Sequence, residues 1–524
     1  MKKLFWIVSC LCIYGKANAQ KYPTLTEQNN RLTQLAKSHP QWVNLQSLAK
    51  TAGGKDIWVM TLGSGKTENK PAIAVVGGVE GNHLIGTELV IQFAEKILKQ
   101  INKDSIQQLL STHTYYLFPN MSPDAMSAYH DKIVVEKLGN SSQTDDDRDG
   151  RLNEDGFEDL DGNGKITQIR VESPVGIYKV HPDDPRVLIK ADLSKGEKGK
   201  YLLFSEGIDN DKDGSLNEDG NGGIHFNKNL TYKHKTFAPG AGEFPASEIE
   251  TRAILDFLYD AFNVHTVVCF SSLNNLSYNE DKTTTVVSDL YNKITGNKDA
   301  PKTNAEGGDF LSWAYQHYGR YSFSTPGWWT PKAKPDTSKK EKAFSVEDPA
   351  ANYLRWSAQQ GLSHFNEWKT ITHPDYPEQL VEVGGIDPFV MINPPYQLVE
   401  SIAQKHTDFL IKMAQLRAQV NIQKVSAEKL GNGLTKISIE VINNGLLPTH
   451  SKFADRNYFV KRLKVAIQLN DKQQLIGGKK LELINNMDPN TMQKFSWIVK
   501  GNGDISVEAG APSIGVAKKT ISLQ

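Results

Sequence analysis

Two short, largely apolar segments constrain the fold of this chain more than any other feature. They read AIAVVGGV at residues 72–79 and VHTVVCF at residues 264–270. A strand without a regular polar alternation is buried on both faces, so it needs covering layers on each side. Amphipathic helices predicted at 88–99 and 247–262 can supply those layers. Apolar strands that alternate with helices therefore predict an α/β domain.

The same patterns predict the other elements of this domain. Ser247 is the expected N-cap of the helix at 247–262, and Glu250 is the expected partner in a capping box. Residues 331–347 are charged and polar, which predicts a loop. The remaining strands are expected at 55–62, 114–118 and 321–324, and the remaining helices at 29–38, 308–318 and 394–418.

The chain has 524 residues, which is too long for one hydrophobic core. From about residue 420 the pattern changes to short β-rich segments, among them 436–443, 462–469 and 504–509, separated by Asn, Gly and Pro. This pattern predicts a β-sandwich module over 420–524, after an α/β domain over 20–410.

The first 19 residues have the features of a signal peptide. A positive start is followed by an apolar run at 4–14, which is too short to cross a bilayer, and by the small-residue cleavage signal Ala17-Asn18-Ala19. A lipoprotein signal ending at Cys10 is the alternative. Cleavage after Ala19 predicts a secreted or periplasmic protein that begins at Gln20, and no later segment is long and apolar enough for a transmembrane helix.

Charge and cysteine content exclude some classes of function. Lys and Arg total 60, as do Asp and Glu, so no bulk charge favours nucleic acid or an anionic membrane. Beyond the predicted signal peptide, Cys269 is the one cysteine, so no disulfide within the chain is expected. Its apolar neighbours predict a buried thiol.

Residues 141–223 interrupt the α/β pattern and are rich in Asp, Asn and Gly, which indicates an insertion. Alternating acidic side chains that end in glycine are typical of the first half of a calcium loop, because oxygens at positions one, three and five converge. None of the copies has a Glu at position twelve, so these are not complete EF-hands. The alternative is a solvated acidic loop. The predicted calcium ligands are Asp145, Asp147 and Asp149, then Asp159, Asp161 and Asn163, then Asp209, Asp211 and Asp213.

Five motifs in order resemble those of the carboxypeptidase A-like zinc metallopeptidases over residues 25–345. This resemblance implies a mixed, mostly parallel sheet flanked by helices, and a zinc-dependent peptidase that removes C-terminal residues. The motifs are GGVEGNH at 77–83, PNMSPDA at 119–125, GIHFNKN at 223–229, FPASEIETRAILDF at 244–257, and the stretch from Gly307 to Ser324 that ends in YSFS.

The resemblance also implies where the zinc ligands should stand, and this chain departs from it. The family's first motif places a His before a Glu, whereas Glu80 here precedes His83. The third ligand, a His in the family, corresponds to Ser271, whose neutral hydroxyl is a poor zinc ligand. The family's general base corresponds to Pro326, which cannot transfer a proton.

Two further positions bear on the substrate and the site. The Asn-Arg pair that holds the substrate's terminal carboxylate in the family is Asn227-Lys228 here, and Lys lacks the bidentate fork of Arg. Glu382 is a candidate base if it reaches the cleft, and otherwise an ordinary paired carboxylate.

His225 occupies the position of the aspartate that orients the first zinc-ligating His in the family. With Glu80 at that ligand position, the acid and the imidazole have exchanged places. We therefore expect Glu80 and His225 to lie within hydrogen-bonding reach, with His83 close by, as an ion pair or a rearranged metal site. The alternative is that His225 points to solvent.

These substitutions predict a degenerate member of the family that binds a peptide or a cell-envelope ligand in the former cleft. The alternative is an active zinc metallocarboxypeptidase.

Overall fold

The computed structural model describes residues 21–145, 150–152, 155–217, 222–277, 281, 283–297, 299–335 and 348–523. The predicted signal peptide lies outside these residues. Within them, no helix is long and apolar enough to cross a membrane.

The helices and strands are numbered along the chain. The α-helices are Leu25–Ser38 (α1), Leu84–Lys99 (α2), Asp104–Thr112 (α3), Pro123–Ser127 (α4), Ile249–Asp260 (α5), Thr285–Thr295 (α6), Phe310–Gln316 (α7), Pro349–Gln359 (α8) and Tyr396–Met413 (α9). The strands before residue 400 are Val43–Lys50 (β1), Asp56–Leu62 (β2), Ala72–Val76 (β3), Thr114–Phe118 (β4), Gln168–Glu172 (β5), Tyr178–Val180 (β6), Leu188–Lys190 (β7), Tyr201–Ser205 (β8), Val264–Phe270 (β9), Tyr321–Thr325 (β10), Phe365–Ile371 (β11) and Val381–Ile386 (β12). The later strands are Val420–Gly431 (β13), Leu434–Asn443 (β14), Leu463–Gln468 (β15), Gln474–Gly477 (β16), Leu481–Ile484 (β17), Met492–Lys500 (β18), Gly503–Ala511 (β19) and Gly515–Leu523 (β20).

The central sheet is mixed and has the order β1-β2-β4-β3-β9-β10. The two pairings at the β1 end are antiparallel, and the β4-β3, β3-β9 and β9-β10 pairings are parallel. Every residue of β3, β4, β9 and β10 is buried, as the apolar runs predict. Alternate strand residues face different layers: Ile73 and Val75 join a cluster with α2 and α9, and Ala74 joins one with α5 and α7.

The helix α5 begins later than predicted, and the expected capping box is absent. Its N-cap is Glu248, which makes no side-chain capping bond. The Ser247 hydroxyl instead donates to Glu248 at 2.8 Å and accepts from Asn229 at 2.9 Å. The Glu250 carboxylate accepts from the side chain of Asn140, so long-range contacts replace the local cap.

The insertion contains regular structure that the Asp-rich composition concealed. Strands β5 to β8 form an antiparallel sheet with β11 and β12, in the order β11-β12-β5-β8-β6-β7. Ile169 and Val171 from the insertion pack with Val381 and Val383 from β12. The insertion therefore depends on a segment that follows about 200 residues later in the chain.

The C-terminal residues form two four-stranded antiparallel sheets, β13-β14-β18-β16 and β17-β15-β19-β20. Side chains of both sheets share one buried cluster, for example Ile437 and Trp497 with Val465 and Val507.

Candidate functional site

The loop between β3 and α2 places Glu80 and His83 at the C-terminal end of the central strands. Two glycines at the end of β3 allow a close approach of the chain here. A Cβ atom on Gly77 would lie 2.4 Å from the carbonyl oxygen of Gly86 in α2, and Gly78 has a φ of +61°. The two glycines therefore determine the path of the chain from β3 to Glu80.

Glu80 is held by neutral hydrogen-bond donors. Its Oε1 accepts from Asn227 Nδ2 at 2.8 Å and from Ser272 Oγ at 2.9 Å. Asn227 is itself fixed, because its Oδ1 accepts from the backbone N–H of Phe310 at 2.8 Å. The second oxygen, Oε2, is buried without a hydrogen-bond partner.

Burial disfavours the ionised form of Glu80. Its pKa rises to about 7, chiefly through desolvation, with a further contribution from nearby Asp309, while the bonds from Ser272 and Asn227 oppose the rise. A carboxyl group with this pKa exists in both protonation states near neutral pH.

His83 is buried inside the protein. The ring is 1% exposed, and its Nε2 lies 3.0 Å from the carbonyl oxygen of Pro326. Burial lowers the pKa of His83 to about 4, so the imidazole is neutral at physiological pH. Its Nδ1 has no hydrogen-bond partner.

The two remaining family positions have structural partners. The Ser271 hydroxyl is 2.7 Å from the hydroxyl of Ser324 on β10, and both residues are buried. Pro326 contributes only its carbonyl, as the acceptor for His83. Neither position offers a group that could act as a general base.

A cavity of about 510 Å³ lies over Glu80. It is lined by Glu80, His225, Asn227, Lys228, Ser272 and Asp309 among others, so the structure brings four of the predicted site residues together: Glu80, His225, Asn227 and Lys228. Lys228 is exposed and donates to the carbonyl of Pro239 at 3.1 Å. Its ammonium is thus available at the cavity wall.

The predicted hydrogen bond between Glu80 and His225 is not formed. Both residues line the cavity, but the carboxylate bonds to Asn227 and Ser272 instead. His225 packs against Gly240, where a Cβ would lie 2.5 Å from the ring, and burial lowers the pKa of His225 to about 4. His225 is partly exposed, at the wall of the cavity.

The residues at the zinc positions do not fit a zinc ion. Zinc needs three protein ligands that converge, and here His83 bonds a backbone carbonyl while Ser271 bonds Ser324. Within the described ranges, groups of three acidic, His or Cys ligand atoms within 4.8 Å of one another occur only at Asp159, Asp161 and Glu206 and at Asp209, Asp211 and Asp213.

Glu382 does not belong to this site. It lies on β12 in the second sheet, where its Oε2 accepts from Arg170 Nε at 2.7 Å. Arg170 also stacks on the ring of Trp368, 4.4 Å from its centroid. Glu382 is therefore an ordinary paired carboxylate and not a base in the cleft.

Two of the three acidic loops have converging carboxylates. Asp209, Asp211 and Asp213 form one group, and Asp159 and Asp161 form the other with Glu206. The Oδ1 of Asn163, the third predicted ligand of that loop, accepts from the backbone N–H of Lys165 at 2.8 Å. In the first loop Asp145 accepts from Gly150 N at 3.1 Å, and Asp147 and Asp149 lie outside the described residues.

Sequence patterns missed three residues that shape these sites: Ser272, Asp309 and Glu206. Asp309 is 3% exposed and caps α7, with Oδ1 accepting from Ser312 N. Its motif position, within the stretch that follows Gly307-Gly308, was the available signal. Glu206 accepts from the backbone of Leu160 and Thr167, and no local pattern indicates this contact.

Comparisons with known proteins agree with this architecture. Residues 29–330 match the zinc carboxypeptidase family, and residues 419–522 match a domain of unknown function, DUF8731. Carboxypeptidase D of Anas platyrhynchos is 25% identical over 132 residues, which cover 24% of this chain and 10% of that protein. Carboxypeptidase SOL1 of Arabidopsis thaliana is 25% identical over 131 residues, covering 24% of this chain and 25% of that protein. The chain thus spans a quarter or less of the length of these relatives.

Two solved structures illustrate the similarity of this chain to known folds. Carboxypeptidase A from Helicoverpa armigera is 12% identical with a TM-score of 0.37, covering 59% of this chain and 66% of that chain. Thrombin activatable fibrinolysis inhibitor is 12% identical with a TM-score of 0.39, covering 76% and 75%. Because the family match at residues 29–330 extends over more than half of the 524 residues, the chain belongs to the zinc carboxypeptidase family.

Proposed function

We propose that this chain is a secreted, non-hydrolytic member of the zinc carboxypeptidase family that binds a peptide or a cell-envelope fragment in its former active-site cleft. The observation that carries the proposal is the hydrogen bonding of Glu80. The side chain at the position of the first zinc ligand is tied to Asn227 and Ser272, and His83 bonds the backbone carbonyl of Pro326.

The cavity supports a binding role. Its volume of about 510 Å³ lies within the usual range for small-molecule and peptide-end sites, roughly 300–1,000 Å³. Lys228 offers an ammonium group to a C-terminal carboxylate, at the position of the family's carboxylate-binding Arg. A single-point contact from Lys is weaker and less directional than the fork of Arg.

An active zinc metallocarboxypeptidase is the second candidate, and the family match over residues 29–330 favours it. It requires that His83 leave the carbonyl of Pro326 and that a ligand other than Ser271 complete the metal site.

One set of measurements on the purified mature protein separates the two candidates. We expect less than about one zinc per chain, no chelator-sensitive release of C-terminal residues, and calorimetrically detectable binding of peptides with a free C-terminus. Lys228→Gln should weaken that binding by about tenfold or more and leave the affinity for C-terminally amidated peptides unchanged. Lys99→Gln, an exposed lysine on α2, is the matched control. Stoichiometric zinc with turnover would refute the proposal in favour of the second candidate.

Three further features complete the proposal. The signal at residues 1–19 supports secretion or a periplasmic location. The shared cluster between the two C-terminal sheets supports a β-sandwich module over 420–524, after a peptidase-like domain over 20–410. The converging carboxylates of Asp209, Asp211 and Asp213 support calcium binding by the insertion.

A further inference from the structure

A small buried cavity lies where the central sheet meets the C-terminal residues, at the opposite strand ends from Glu80. Its volume is about 10 Å³, close to what one water-sized group occupies. His265 at the start of β9 and Arg320 just before β10 line one side, and Arg417, Thr449 and Ser513 line the other. No aspartate or glutamate among the described residues lines it.

Arg320 is a buried cation without a carboxylate partner in the described part of the chain. The residue is 3% exposed, its Nη2 donates to the carbonyl of Phe459 at 2.7 Å, and its Nε has no hydrogen-bond partner. The guanidinium lies 4.4 Å from the ring centroid of Tyr318. Neutral acceptors alone compensate this charge poorly, and an uncompensated buried charge is costly.

Arg417 adds a second positive charge to the same wall. Its Nε donates to His113 at 3.0 Å, and its Nη1 donates to the carbonyls of Ala418 and Ile514 at 2.9 and 2.7 Å. These acceptors are also uncharged. Burial lowers the pKa of Arg417.

His265 contributes a ring nitrogen without a hydrogen-bond partner to the cavity wall. Its Nδ1 lies 2.7 Å from the hydroxyl of Thr266, and its Nε2 is buried without a partner. When the Thr266 hydroxyl donates to Nδ1, the ring proton is on Nε2, which is then a donor without an acceptor. The nearby His450 is already paired, with its Nε2 2.7 Å from Asp455, so that carboxylate is engaged elsewhere.

From these contacts we propose that the cavity binds one monatomic anion of halide size, with Arg320, Arg417 and His265 as its partners. An anion there would accept hydrogen bonds from Arg320 Nε and from the Nε2–H tautomer of His265, and its single negative charge would offset one of the two positive charges that the described residues leave without an acid. The small volume excludes phosphate and sulfate. Because the wall includes residues on both sides of the junction, the bound anion would hold the C-terminal residues against β9 and β10. This site is independent of the proposed function of the cleft.

The test measures thermal unfolding of the full chain at constant ionic strength, with chloride replacing gluconate from 1 to 100 mM. We expect the melting temperature of the wild type to rise by about 2–5 °C, because a ligand that binds only the folded state stabilises it. Arg417→Gln should abolish the rise, and so should His265→Phe. Arg252→Gln, which replaces an exposed arginine on α5, should retain it.

Crystals of the wild type grown in bromide provide a readout that does not depend on variants that may fail to fold. We expect one anomalous-scattering peak between Arg320 and His265. A cavity that holds only water, with no anomalous peak, would overturn the proposal. A chloride response of equal size in the wild type and in every folded variant would overturn it as well, because it would report a general salt effect.

Discussion

The two carboxyl oxygens of Glu80 differ in their hydrogen bonding. One oxygen accepts from Asn227 and Ser272, and the other is buried without a partner. An ionised carboxylate would leave a charge beside that unpartnered oxygen, which explains why burial outweighs the hydrogen bonds in raising its pKa to about 7.

This state of Glu80 makes stability depend on pH. Its pKa in the folded chain, about 7, lies above its ordinary value of 4.5, so the folded chain binds more protons between these values. The stabilising contribution is therefore fully present below about pH 4.5 and is lost as the pH rises through 7. Glu80→Gln keeps the acceptor for Asn227 and Ser272 but cannot ionise. We expect its free energy of unfolding at pH 8 to exceed that of the wild type by about 2–3 kcal/mol, with little difference at pH 5.

Urea unfolding at several pH values measures this effect. Glu378→Gln, at an exposed position, should follow the wild type at every pH. If the curves of Glu80→Gln and wild type run parallel from pH 5 to 8, the assignment of a raised pKa is incorrect.

The sequence motifs placed Glu80, Asn227 and Lys228 in one cavity, but they could not assign hydrogen-bond partners. We expected His225 as the partner of Glu80 because the acid and the imidazole have exchanged positions relative to the family. One actual partner is Ser272. It follows Ser271, which is buried just after the end of β9, whereas Ser272 is exposed to the cavity. A shift of one position therefore decides which serine reaches the site.

Helices and strands were predictable where residues within the element itself stabilise it, and they were missed where distant residues do. Strands β4 and β9 match their apolar runs end to end, because continuous burial leaves a continuous pattern. The insertion strands were missed, because β5 is stabilised by β12 and the Asp-rich loops around it dominate the composition. The start of α5 was misplaced for the same reason, since Asn229 and Asn140 satisfy groups that a local cap would otherwise use.

The acidic loops of the insertion give a prediction at this scale. Three carboxylates that converge without a cation repel one another, so calcium at Asp209, Asp211 and Asp213 should stabilise the fold. After chelation, millimolar calcium is expected to raise the melting temperature by about 2–5 °C. Asp211→Asn should reduce the rise, whereas Asp471→Asn, at an exposed position in the C-terminal residues, should not.

Magnesium at the same concentration tests for general charge screening.

The acidic group of Asp159, Asp161 and Glu206 is a weaker candidate for calcium, because Lys369 already lies 3.0 Å from Asp161. A melting curve that calcium leaves unchanged would rule out the proposed calcium site.

At the scale of the whole molecule, the C-terminal residues are attached to the peptidase-like part by specific contacts. The hydroxyl of Tyr321 donates to the carbonyls of Pro448 and His450, at 3.1 and 2.9 Å. Phe459 stacks on Tyr259 of α5 with ring centroids 3.9 Å apart. Contacts from both β10 and α5 imply that the two parts stabilise each other.

Phe459→Ala tests this coupling. Loss of the stacked ring should destabilise the protein by about 1–3 kcal/mol and should lower the unfolding temperature of the peptidase-like part as well as that of the C-terminal part. Tyr458→Ala is the matched control, because the neighbouring ring is 79% exposed. Scanning calorimetry of both variants gives the result, and two independent transitions, only one of them shifted, would contradict the coupling.

The pairing of β5 with β12 has a consequence for how the chain is made. The Arg170–Glu382 ion pair joins residues 212 positions apart, so a ribosome must synthesise most of the peptidase-like part before β5 acquires this neighbour. Until then, the nascent insertion presents an open strand edge, the kind of surface that recruits foreign strands. Its abundant acidic side chains supply the mutual repulsion that keeps such an edge from joining another copy during this interval.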